Sequence, residues 1–143
     1  MKYVKNGFVS CWLGSFNDDR ALRMYLGEEE AIWEFDLYDK AVVREAQELS
    51  PFWNDLGASW INLGLLRESR TLFERQVPSP CAISDLVADF PHASTFARPL
   101  AEACGDMGIR QAQTAICIYD FAYRGKGAFA FGKLQFCGAY EYR

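Results

Sequence analysis

The chain is poor in the side chains that most often do chemistry. It has one histidine, His92, and no C-x-x-C pair among its five cysteines, Cys11, Cys81, Cys104, Cys117 and Cys137. A metal site would have to gather scattered thiols and carboxylates around His92 with no ligand spacing to help it, so no metal or other cofactor is expected. No apolar run reaches the ~18 residues needed to cross a bilayer. The basic residues at Lys2 and Lys5 are followed by no long apolar segment, which argues against a secretory signal. The odd cysteine count and the lack of paired spacings fit reduced thiols, mostly buried as small apolar groups in a cytoplasmic protein. There is no internal repeat, no low-complexity tract and no linker that would split the chain.

Other catalytic signatures are missing too. The Gly-rich segment at 124–132 lacks the G-x-x-x-x-G-K-[ST] order of a phosphate loop, and no helix start follows it. A cysteine nucleophile would need His92 as its base, and Cys104 sits on the apolar face expected for its helix, where a thiol is inert. Carboxylates are plentiful, but none is marked out for acid–base work by its context. No catalytic residue is expected.

What is present is a core. Half of the 143 residues are hydrophobic and 15% are aromatic, enough for one ordinary folded domain spanning 1–143. The stretches 114–121 and 134–142 combine aromatic and β-branched residues, which suit a half-buried pleated surface. With glycines between them, they read as a C-terminal β-hairpin. At 8–13, Phe8 and Trp12 alternate with Val9, Cys11 and Leu13, so both faces of that strand should be covered. Asn17 can cap a helix carrying Asp18 and Asp19 in its first turn, with Gly27 at its end.

Residues 32–38 read as a strand with one acidic face, and Val42, Val43, Ala46 and Leu49 as a helical stripe. Ser50-Pro51 starts a short helix ended by Gly57. The stretch 71–77 reads as another strand, stopped by Pro78-Ser79-Pro80. Ile83, Leu86, Val87 and Phe90 fit one helix face. A second helix follows from Ser94 with Phe96, Leu100, Cys104 and Met107 along one face and Gly108 at its C′ position. Pro99 should distort its first turn or delay its start to near Arg98. The expected fold class is α+β: a single domain with a mixed or mostly antiparallel sheet, a C-terminal β-hairpin, and helices packed on it.

Charge matters more by place than by sum. Residues 17–48 hold ten acids against four bases, net −6, whereas the whole chain is only −4. An acidic face repels nucleic acid and steers a basic partner toward it. Of the four tryptophans, Trp53 and Trp60 are the better candidates for interface anchors, since they flank the Gly57 break beside polar residues.

Three stretches carry a family resemblance. They are Val9-Ser10-Cys11-Trp12-Leu13-Gly14-Ser15-Phe16 before the acidic-capped helix, Ser50-Pro51-Phe52-Trp53-Asn54-Asp55-Leu56-Gly57 followed by Trp60, and Ile118-Tyr119-Asp120-Phe121-Ala122-Tyr123 before the last strand. In order and spacing across nearly the whole chain, they resemble the immunity protein 22 family of bacterial polymorphic-toxin systems. The stretch after Trp60 departs from that family's acidic pattern, with Glu68 its only acid between 62 and 68. The resemblance implies a cytoplasmic antitoxin, not an enzyme, that binds and neutralises a cognate bacterial toxin domain stoichiometrically. A nuclease toxin would present a basic cleft, so Glu28, Glu29, Glu30, Glu34, Asp36 and Asp39 become the expected toxin-facing residues, with Trp53 and Trp60 as anchors. Neither nucleic acid nor membrane is an expected partner. The alternatives are a small-molecule-binding or enzymatic domain with a pocket near the C-terminal hairpin, and a subunit of a permanent oligomer.

Overall fold

A computed structural model describes residues 4–16, 20–22, 72–123 and 134–142. Within them the chain forms β1 (Val4–Gly14), β2 (Leu72–Ala82), α1 (Ile83–Leu86), α2 (Ala93–Asp106), β3 (Gln111–Phe121) and β4 (Leu134–Glu141). The four strands make one sheet in the order β2-β3-β1-β4, with every neighbouring pair antiparallel. The fold class is α+β, as expected. No helix among the described residues is long and apolar enough to cross a membrane.

The two strands expected to form a C-terminal hairpin do not pair. β1 lies between them, joining Cys11 to Cys117 of β3 on one side and Trp12 to Phe136 of β4 on the other. Each strand's sequence is right for a strand, but alternation fixes faces and not neighbours. β1 and β3 are therefore the central strands. Val9, Cys11 and Leu13 on one face of β1, and Ser10 and Trp12 on the other, are all buried. β3 is buried almost without interruption from Thr114 to Tyr119. That two-sided burial matches the doubly apolar pattern of 8–13.

One face of the sheet carries α1 and α2. Val9, Cys11, Leu13, Cys117 and Tyr119 pack there with Phe96, Leu100 and Cys104 of α2. On the opposite face Trp12 lies 5.2 Å from Phe136 and 5.6 Å from Tyr123, ring centre to ring centre. Ile116 and Ile118 of β3 are buried on that face as well. Aromatic pairs at such distances contribute ~0.5–1.5 kcal/mol each beyond their buried area.

The strand β2 does not stop at Pro78-Ser79-Pro80. Its register jumps between Gln76, opposite Thr114, and Cys81, opposite Ala112, so the prolines sit in an outward bulge. Among the described strands β2 is an outer one, where proline's missing donor is tolerated. Gln113 donates a side-chain hydrogen bond to the Pro78 carbonyl across the bulge, at 3.2 Å.

Ile83, Leu86, Val87 and Phe90 are all buried as their spacing predicts, but only Ile83–Leu86 is helical and the rest follow in turns. α2 begins at Ala93, before the expected Ser94 cap, with His92 as N-cap in the left-handed region at φ 60°. It runs through Pro99 rather than starting near Arg98, at the expense of one backbone bond. Burial of Phe96, Leu100 and Cys104 on the sheet offsets that loss. Its end is a Schellman motif: Ile109 donates to the Cys104 carbonyl at 2.8 Å and Gly108 to that of Gly105 at 3.0 Å, with Gly108 at φ 80° as its C′ placement required. Met107, expected on the apolar face, is exposed beyond the last helical residue.

The short piece 20–22 is helical, inside the helix expected after Asn17, and Leu22 is buried. The rest of that helix, the expected strand at 32–38, the elements between 42 and 66, and the Gly-rich segment at 124–132 lie outside the described residues.

Candidate functional site

All eight residues expected to face a toxin (Glu28, Glu29, Glu30, Glu34, Asp36, Asp39, Trp53 and Trp60) fall outside the described residues. What the structure does place are the reactive side chains that the sequence left scattered. They gather in two groups.

The first is a corner where β1, β3 and β4 come together beside the start of α2. Residues 5–8 of β1 lie opposite the single residue Asp120 of β3, since Val4 pairs with Phe121 and Val9 with Tyr119. This wide irregularity is held by Asp120 itself, a non-glycine residue at φ 55°. Its carboxylate accepts a hydrogen bond from the Gly7 amide at 3.0 Å and another from the Tyr142 hydroxyl. The Gly7 carbonyl in turn accepts from the Tyr142 amide at 2.9 Å. The Tyr142 ring stands edge-on to Tyr119 and 5.0 Å from the His92 ring. The Tyr119 hydroxyl donates to the Pro91 carbonyl at 2.6 Å, and burial pushes its ionisation well above the ordinary tyrosine value.

These contacts use the polar groups for structure. Asp120 pins the strand irregularity, and Tyr119 ties β3 to the turn before α2. The hydroxyls nearest His92 are engaged elsewhere, that of Tyr142 with Asp120 and that of Thr95 with the His92 carbonyl. Cys104, twelve residues along from His92, lies roughly 18 Å further on at 1.5 Å of helix rise per residue. It is buried against the sheet while His92 is exposed. The pairing of these two as base and nucleophile is excluded by that geometry.

The second group is a row of thiols inside the core. Cys11 and Cys117 are directly opposed in the β1–β3 ladder, with their sulfurs 3.6 Å apart. Cys137 lies on β4, on the far side of Cys11, where its thiol donates to the Gln135 carbonyl at 3.3 Å, and Cys104 of α2 belongs to the same buried cluster. All four are buried, and Cys81 on β2 is half-buried. Burial, with Cys117 beside it, pushes the Cys11 thiol up. Cys137 is pushed up by its hydrogen bond to Cys104 and then by burial, while Cys104 is lowered by the same bond. Among the described residues no three or more His, Cys, Asp or Glu side chains converge as a metal-ligand set.

Spacing gave no sign of the Cys11–Cys117 pair, whose members are 106 residues apart in sequence. Strand alternation gave half of it, because it put Cys11 on the same face as Val9 and Leu13. The other half needed the strand order. No family model, no curated protein and no solved structure matches the chain.

Proposed function

We propose that this protein is an immunity protein that binds a bacterial toxin domain stoichiometrically and silences it, acting in the cytoplasm without chemistry of its own. The observation that carries the reading is the segregation of charge: ten acids against four bases between residues 17 and 48, in a chain whose total is only −4. A nuclease domain binds phosphate and so presents basic residues around its cleft. An acidic segment speeds encounter with such a cleft and discriminates against neutral or acidic surfaces.

The described sheet is firmly built. Its two central strands are buried on both faces, and its polar corner is tied up in internal hydrogen bonds. In sequence, Glu28, Glu29, Glu30, Glu34, Asp36, Asp39, Trp53 and Trp60 all lie between the end of β1 at Gly14 and the start of β2 at Leu72.

The test is co-expression with the toxin-like domain encoded beside this gene, the toxin carrying the affinity tag. Co-elution in equal amounts together with survival of the cells supports the proposal. A cell that dies with no complex recovered refutes it and turns attention to an enzymatic or small-molecule-binding role. Given a complex, Glu34→Lys with Asp36→Lys should slow association at least ~10-fold at low salt and much less at high salt, since screening removes steering. An unchanged rate at low salt would take this face out of the interface.

A further inference from the structure

Of the four buried cysteines, Cys11 and Cys117 face each other across the two central strands, with their sulfurs 3.6 Å apart. We propose that Cys11 and Cys117 form a latent cross-strand disulfide, closed by a peroxide-class oxidant, that locks β1 to β3 at the centre of the sheet.

The geometry asks for little movement. The two residues are Cα partners in an antiparallel ladder. Opposed residues in such a ladder have Cα atoms about 4.5–5.5 Å apart. A disulfide accepts about 4.4–6.8 Å, so the backbone need not shift. The sulfurs stand 3.6 Å apart and already face each other. Closing to the ~2.05 Å bond takes side-chain rotation alone.

Access is the second requirement, since neither residue has exposed surface. The β1–β4 ladder is interrupted at Cys11. Ser10 pairs with Ala139 and Trp12 with Phe136, so Cys11 alone faces both Cys137 and Gly138. A bulge leaves the ladder locally unpaired. The weak point of the β1–β4 ladder is thus beside the cysteine, and an oxidant as small as hydrogen peroxide can reach it through a local opening that excludes a bulky thiol reagent.

The chemistry closes on two thiols and one hydrogen peroxide. One thiol gives up its proton and as thiolate attacks a peroxide oxygen; the O–O bond breaks, a sulfenic acid forms, and the departing hydroxide takes up that proton as the first water. The second sulfur attacks the sulfenic sulfur, the S–O bond breaks as the S–S bond forms, and the departing hydroxide takes up the second thiol's proton. The products are one disulfide and two waters; the two sulfurs are oxidised and the peroxide is reduced. The raised ionisation of Cys11 keeps this reaction slow in the closed fold.

The test treats the reduced, folded protein with hydrogen peroxide, alkylates the remaining thiols after denaturation, and maps the digest by mass spectrometry. The chain is used both unsubstituted and with Cys81→Ser, which removes the half-buried thiol without touching the pair. The expected result is one crosslinked peptide pair joining Cys11 to Cys117, lighter by two hydrogens and reversed by dithiothreitol, with a thermal midpoint several degrees above that of the reduced protein. Recovery of Cys11 and Cys117 as alkylated thiols or as sulfinic acids overturns the proposal. So does a crosslink that joins only Cys104 to Cys137.

Discussion

Three glycines allow one substitution to be read in three different settings. Gly105 lies inside α2, where an added Cβ would meet nothing within 4 Å. Gly108 also has open space, but its φ is +80°. Gly138 on β4 has φ +113°, and an added Cβ would stand 2.7 Å from the Tyr140 hydroxyl oxygen and 3.0 Å from the ring carbon that bears it. Alanine at Gly105 should stabilise the fold by ~0.5–1 kcal/mol, the helix-propensity gain with no contact to oppose it. At Gly108 it should destabilise by ~1–2 kcal/mol, the cost of a left-handed conformation for a residue with a Cβ. At Gly138 the conformational strain, ~1–3 kcal/mol, is joined by displacement of the Tyr140 phenol. That ring donates its hydroxyl to the Cys137 carbonyl, so a further ~0.5–1.5 kcal/mol goes with the bond. The sum for Gly138→Ala is ~1.5–4.5 kcal/mol. Urea unfolding at constant slope reads all three as shifts in midpoint. The order Gly105, Gly108, Gly138 from stabilising to most destabilising is the claim. A Gly138→Ala variant within ~0.5 kcal/mol of the parent would show that neither the strain nor the Tyr140 contact is real.

Two further perturbations test the core and its fastening. Burial is the first cause that raises the ionisation of Tyr119 and Tyr140 in the folded chain, whereas the unfolded chain ionises them near the ordinary value. Their contribution to stability is therefore intact below pH ~10 and lost above it, approaching ~1.4 kcal/mol per pH unit for each. A urea midpoint that stays flat to pH ~11 would contradict this, and Tyr119→Phe should soften the fall. Arg75 donates to the carbonyls of Asp85 and Leu86 at 3.1 and 3.3 Å and lies 3.6 Å from the exposed Asp89 carboxylate. Arg75→Met should cost ~1–2 kcal/mol through the two carbonyl bonds. Asp89→Asn should cost under ~0.5 kcal/mol because its ion pair is in water. Equal costs in thermal unfolding would mean that the ion pair, and not the carbonyl bonds, holds the end of α1.

Local chemistry was legible in the sequence, and long-range order was not. Alternation at Val9, Cys11 and Leu13 identified β1 and its two buried faces, and Phe96, Leu100 and Cys104 identified the face of α2. Gly108 marked the helix end because only a residue without Cβ suits φ 80° there. The error over the hairpin came from taking neighbours in sequence as neighbours in the sheet. The segment between β3 and β4 is long enough to step over β1, and nothing local in either strand forbids it. Pro78 and Pro80 read as a stop because the rule that keeps proline out of strands holds for inner strands, and β2 is an outer one among the described strands. His92 escaped notice as a cap because it caps through a left-handed backbone, with no side-chain bond to announce it. The acidic segment is legible as a count of charges. Its place in space lies outside the described residues, so its role as a binding face stands as a proposal.

The insertion of β1 between β3 and β4 also sets the order in which this protein can be made. The strand at the front of the chain finds both sheet neighbours only after β3 and β4 have been synthesised; the bond from Tyr123 to Ser10 alone spans 113 residues. Until then Val9, Cys11, Leu13 and Trp12 form an apolar ribbon without the two strands that flank it in the finished sheet. Closing so large a loop before β1 gains any pairing energy slows folding. An unpaired hydrophobic strand of this kind is also where nascent chains associate wrongly. Yield in the cell should therefore depend on how β1 is sheltered during translation, and changes that make this strand less sticky should raise soluble expression even where they leave the finished fold no more stable.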